Sequence, residues 1–164
     1  MSSIIRVDTL QKPDGSTPTA ADLGLDVAGT IVQTSHHKWA DVTQITSTSW
    51  TDCIGSSFTF TPKYSTSKLL IVIDGAFEHQ GQRGMSFRIV HDGIGVYDPL
   101  ATHELYDVTS TDQYVRASKH EMTDAVSTSP RTIKLQIASY TGTTVRCNTS
   151  SSFYSSFTVY EIAQ

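Results

Sequence analysis

Each of the six histidines in this 164-residue chain adjoins another titratable side chain. His36 and His37 are neighbours, His79 follows Glu78, and His91-Asp92, His103-Glu104 and His120-Glu121 are histidine-carboxylate pairs. Imidazole and carboxylate are common zinc ligands and common proton-transfer partners. Adjacent residues on a strand point to opposite faces, so His36 and His37 do not readily share one ion within a chain. In a trimer, one of the two could meet its copies on the axis and make a three-histidine site. The other histidines read as loop and strand-end surface residues, His79 included.

Other chemistries find less support. No glycine-flanked serine sits at a strand-to-helix elbow, and 21 serines and 23 threonines make chance Ser/His/Asp combinations cheap. Asp74 and Glu78 share strand parity, as a glycosidase pair would require, but solubilising charge at a strand end explains them better. Gly81-Gln82-Arg83-Gly84 lacks the lysine and the following helix of a phosphate loop. Cys53 and Cys147 match no metal spacing. They read as two free thiols in a reducing compartment, with a late-forming disulfide as the alternative because both fall in strand-like contexts. The expectation is therefore no catalytic residue, no cofactor and no resident metal. Trp39, Trp50, Tyr97, Tyr106 and Tyr114 fall in or near loop ends and are candidate glycan contacts, since such rings offer an apolar face with a polar edge. Packing in a core or an interface is their other reading.

The elements that must position these groups are strands. Hydrophobic residues make up 38% and charged residues 17% of the chain, both low for a globular protein, with serine and threonine filling the gap. Threonine favours strands and serine favours turns. The central signal is the apolar run Leu69-Leu70-Ile71-Val72-Ile73, placed after a Pro62 turn and before Asp74-Gly75. It suits a strand buried on both faces, expected over residues 69–78. Alternation marks further strands over 57–61, 85–91, 132–140 and 156–162, with weaker ones over 29–34, 38–45, 94–97 and 144–148 and short ones near Tyr114 and near His120. The expected fold is all-β: a jelly-roll-like two-sheet antiparallel β-sandwich with an extended N-terminal arm. Residues 1–28 form the arm and 29–164 the head. The arm cannot build a core, so Ile4, Ile5, Val7, Leu10, Leu23 and Leu25 are candidate partner-docking residues, with Val27 beside them. A net charge of −4 offers no basic face for nucleic acid. No stretch is long enough to insert in a membrane, and Arg6 and Asp8 interrupt any leader-like apolar segment, so synthesis in a cytoplasm is expected.

In this order, several phrases resemble phage virion proteins of the tail-fibre or appendage type from phages of marine bacteria and cyanobacteria. They are Ile5-Arg6-Val7-Asp8-Thr9-Leu10-Gln11 with Asp14-Gly15, then Ala20-Ala21-Asp22-Leu23-Gly24, then Gly29-Thr30-Ile31-Val32-Gln33. Thr61-Pro62-Lys63-Tyr64-Ser65-Thr66-Ser67-Lys68-Leu69-Leu70 and Phe157-Thr158-Val159-Tyr160-Glu161-Ile162-Ala163 complete the set. Residues 80–129 match none of the pattern. The resemblance implies a non-enzymatic virion component, usually a homotrimer, that docks on other virion proteins (tail, baseplate, portal or capsid) and displays a β-sandwich head. A carbohydrate-binding module recognising host surface glycans through residues 80–129 is the alternative.

Overall fold

A computed structural model describes residues 11–18, 22–23, 28–80, 84–92, 94–95, 105, 112–150 and 152–164. Among them are eleven strands and no helix: β1 (Ile31–Trp39), β2 (Thr43–Ile45), β3 (Thr51–Asp52), β4 (Phe58–Phe60), β5 (Lys68–His79), β6 (Met85–His91), β7 (Ile94–Gly95), β8 (Gln113–Asp124), β9 (Arg131–Ser139), β10 (Val145–Cys147) and β11 (Ser155–Ile162). They make two antiparallel sheets, the expected all-β sandwich. In the first sheet β5 is central, with β8 along one whole edge. Its other edge is shared by β11 at residues 68–74 and β10 at residues 77–79. β1 flanks β11, and β2 flanks β10. In the second sheet β9 lies between β6 and the short strands β3 and β4, and β7 extends β6.

Strand alternation sends every second side chain inward. Leu69, Ile71, Ile73 and Phe77 of β5 and Phe157 and Val159 of β11 meet Phe87 and Ile89 of β6 and Ile133, Leu135 and Ile137 of β9 in one core. Each such burial contributes about 1.5–3 kcal/mol. The opposite face of β5 departs from the expectation of two-sided burial: Leu70 and Val72 are only half-buried. No third layer of described residues covers that face, which β5 shares with Thr158, Tyr160 and the exposed Met122.

The Asp74-Gly75 turn signal does not end β5. Gly75 is a packing glycine in mid-strand, because a Cβ there would lie 2.4 Å from the Phe77 ring. That ring is held in turn by Phe87, stacked at 4.5 Å between centroids. The two short strands expected near Tyr114 and His120 are one twelve-residue strand, β8. Its residues alternate half-buried and exposed, so the apolar pattern is faint, and pairing with β5 organises it instead.

The connection 61–67 carries the chain from the second sheet to the first and is tied down by one acid. Glu161 shares parity with Phe157 and Val159, so it points inward and is fully buried. Its carboxylate accepts the backbone N–H groups of Lys63 and Tyr64, the Ser67 hydroxyl and the Gln33 side-chain amide. Burial pushes this carboxyl up, but the donors from Lys63, Ser67, Tyr64 and Gln33 outweigh it and hold the pKa below the usual glutamate value. Gln33 also donates to the Thr61 carbonyl, and Lys63 Nζ to that of Val32.

Candidate functional site

At the far end of the first sheet, the chain leaves β10 through Asn148, whose φ of 56° lies in the left-handed region that asparagine tolerates. The Asn148 N–H donates to the Ala76 carbonyl at 2.8 Å. Its side-chain amide donates to the carbonyls of Trp39 and Asp41, and its Oδ1 accepts the Ser155 hydroxyl at 2.8 Å. Ser155 Oγ in turn accepts the Ala76 N–H at 3.1 Å. Both ends of the β10–β11 connection are thus pinned to β5 and to the end of β1. That connection presents Phe153 and Tyr154, which are 49% and 43% exposed.

Strand β8 brings Tyr114 and Arg116 to the same corner, and Tyr114 is 65% exposed. The Arg116 guanidinium forks onto Asp74 at 2.7 and 3.2 Å, and also donates to the Tyr154 carbonyl. Lys38 Nζ sits 3.5 Å over the Tyr154 ring, with Arg116 Cζ at 5.3 Å from the same centroid. Beside them, against Tyr114, Arg116 and Phe153, lies a cavity of about 130 Å³ whose remaining walls are Ala76, Phe77, Val115 and Thr149. The arrangement suits stacking on an apolar ring face beside bidentate polar groups, the chemistry that holds a sugar.

Among the described glycan candidates, Trp39, Trp50 and Tyr114, only Tyr114 joins this corner. Trp39 is 4% exposed and packs against His37 and Phe157 in the core, so it has no surface to offer a ligand. Its strand parity, odd like that of the inward Ser35 and His37, was the available signal. Trp50 is half-buried on the outer face of the second sheet, with Arg88 Cζ 4.4 Å over its ring. Arg88 continues through Gln136 to Asp52, which also takes Lys134. Burial raises the Asp52 carboxyl, but Lys134 and Gln136 hold it below the ordinary aspartate value. Tyr97 and Tyr106 lie outside the described residues, as do Ile4, Ile5, Val7, Leu10, Leu25 and Val27. Leu23 is described and is 45% exposed. Phe153 and Tyr154 went unread because a serine-rich turn carries no strand pattern. The signal was two adjacent aromatics just before a β11 residue.

His36 and His37 do take opposite faces. His36 meets Thr158 Oγ1, and His37 meets the Gly55 carbonyl and stacks on Phe58. Among the described residues no three His, Cys, Asp or Glu side chains are placed to hold a metal. His79 and Glu78 are not surface groups: they are 2% and 1% exposed, and Arg146 binds both Glu78 oxygens at 2.7 and 2.9 Å. His91 is also buried, and Arg131 bridges it, Asp92 and the carbonyls of Asp124 and Ala125. Burial and the neighbouring Arg131 keep the His91 imidazole below its ordinary pKa, which makes it neutral at pH 7.

No family model matches this chain, and no curated protein matches it. The solved structures that overlap it in part include two from one virus. The infectious bursal disease virus VP2 subviral particle is 14% identical over 82% of this chain and 39% of that one, with a TM-score of 0.35. The Gx strain of the same virus gives 16% identity over 80% and 37%, with a TM-score of 0.31. The chain spans about two fifths of the length of either, and likenesses this slight assign it to no family.

Proposed function

We propose that this chain is a structural component of a phage particle, a tail-fibre, baseplate or capsid-appendage protein without enzymatic activity. Residues 1–28 dock on another virion protein, and residues 29–164 form a head that is displayed as a homotrimer. The observation that carries this reading is the Glu161 cluster. Gln33, the residues 63–67 and Glu161 come from three separate phrases of the virion-protein resemblance, and they close on one another through hydrogen bonds. Phrases that are dispersed in sequence thus behave as one structural signature. The arm reading draws on Leu23 and Ile31, 45% and 54% exposed at the root of residues 1–28.

Burying several apolar side chains at about 1.5–3 kcal/mol each would make docking depend strongly on the arm. Removing residues 1–28 is expected to cut incorporation into particles by well over about tenfold while the head's melting temperature holds. Immunoblots of purified particles check this, and unchanged incorporation would refute the docking role. Light scattering should return three times the monomer mass, and a monomer mass would refute the trimer.

The exposed corner at Tyr114, Phe153 and Tyr154 favours a second role of the same head, contact with host surface glycans. Each stacked ring is worth about 1 kcal/mol or more when it covers a sugar face. Tyr114→Ala combined with Phe153→Ala should therefore lower glycan-array binding by about tenfold or more. Binding that survives both changes would place any glycan site elsewhere.

A further inference from the structure

Among the described residues, strand β8 pairs along one edge only. Consecutive pairs from Lys68↔Asp124 to His79↔Gln113 tie that edge to β5 over its whole length. Just past the strand, the Ala125 N–H donates to the Ser67 carbonyl, so odd-numbered residues turn their backbone groups toward β5. Those of Arg116, Ser118, His120, Met122 and Asp124 therefore face the other edge. The Asp124 carbonyl there accepts the Arg131 guanidinium, which closes that end. An edge of this length is a template for a further strand.

The charges on β8 say which strand fits. Arg116 and Lys119 precede His120, and Glu121 and Asp124 follow it at the same intervals. A second β8 laid antiparallel and centred on His120 sets Arg116 opposite Asp124 of the second copy. It also sets Lys119 opposite Glu121 of the second copy, and each pair occurs twice. Arg116 and Asp124 are exposed on the outer face, where Arg116 already forks onto Asp74 and Asp124 meets Lys68 Nζ at 2.6 Å. Charge thus alternates in sign across the seam. Lys119 and Glu121 share the inner face, at the non-hydrogen-bonded positions where opposed side chains lie closest. Sliding one copy by two residues brings Lys119 or Glu121 opposite itself, and sliding it by one turns the inward face out. Only the register centred on His120 joins both cations to anions.

We infer that a second copy of this chain binds along β8, antiparallel and centred on His120, so that the first sheets of two copies become one continuous sheet. Ser118, His120 and Met122 supply the backbone rungs, and the two kinds of ion pair fix the register. The contact has two-fold symmetry, so it lies outside any three-fold interface and doubles whatever assembly the head already forms.

The test is sedimentation equilibrium of the full chain over a range of concentrations, where the mass should double from its value at high dilution. Lys119→Glu and Glu121→Lys each replace two attractive pairs by two repulsive ones. Each should weaken the doubling by about tenfold or more while the melting temperature holds. An equimolar mixture of the two variants should restore it, because their reversed charges oppose one another across the seam. Mixing repairs no defect internal to one chain. His120→Cys should cross-link two copies on mild oxidation, since directly opposed residues have the Cα separation a disulfide needs. Ser118→Cys should not, because Met122 of the second copy faces it. A mass still undoubled at about 1 mM overturns the inference and leaves the edge to a strand of another sequence. It is overturned equally if the mixture fails to double, or if Ser118→Cys cross-links as readily as His120→Cys.

Discussion

Glu161→Ala is expected to lower folding stability by about 3–5 kcal/mol, a large share of the 5–15 kcal/mol typical of a domain. The change leaves the Lys63 and Tyr64 N–H groups, the Ser67 hydroxyl and the Gln33 amide without their acceptor. Ser67 is fully buried and the other donors lie partly so, and a buried group stranded in this way costs about 1–3 kcal/mol. Glu161→Gln keeps one carbonyl acceptor but turns an NH2 group toward donors, so an intermediate loss of about 2 kcal/mol is expected. Urea unfolding of the three proteins checks the order. A Glu161→Ala protein within about 1 kcal/mol of the parent would show that the 61–67 connection is held by other means. Acid should erase the difference. The folded carboxyl titrates below its unfolded value of about 4.3, so its contribution is complete above that pH and is lost as pH falls through the lower folded value. The gap between the parent and Glu161→Gln should therefore narrow as pH drops below about 4.

Gly75→Val is the second substitution with a large expected loss, about 3 kcal/mol or more. A Cβ at this position lies 2.4 Å from two atoms of the Phe77 ring, and the ring cannot swing away because it is 1% exposed and stacked on Phe87. Gly75 also pairs with Ala117 of β8, so backbone displacement would disturb the longest pairing of the first sheet. The strain is specific to one neighbour, and that makes it separable from a general strand defect. In a double-mutant cycle, Phe77→Leu should cost stability alone but recover part of the loss when combined with Gly75→Val. Strict additivity would mean that the ring is not what excludes a side chain there.

How far the chain could be read from its residues depends on what each strand faces. Ile133, Leu135 and Ile137 alternate with Lys134 and Gln136, and the three apolar residues are fully buried as that pattern requires. Phe157 and Val159 behave the same way. Where one side of a strand stays wet, the pattern fades, and β8 read as two fragments. Parity was the signal left unused: it turns Trp39 and Glu161 inward, although the first reads as a loop-end ring and the second carries no assigned role in the closing strand. Glycine was ambiguous for a physical reason. The same residue type that makes turns also clears space under a ring, and only the partner ring, two positions on, tells the cases apart. The corner of Tyr114, Phe153 and Tyr154 depends on residues far apart in sequence that meet only because β8 and the β10–β11 connection both lie against β5.

The placement of β11 governs how this chain acquires its shape. β11 is inserted between β1 and β5, and the Gly29 and Thr30 backbone groups close on Ala163 beyond it. β1 and the central strand β5 therefore wait for residues 155–162 before either gains that neighbour. Pairings of such sequence separation carry a loop-closure cost before any contact offsets it, which puts folding on a scale of about milliseconds to seconds. The first sheet is complete only once residues 155–162 are in place between β1 and β5. Once closed, β1 is an edge strand held by β11, whereas displacing β11 breaks its pairings with both β1 and β5.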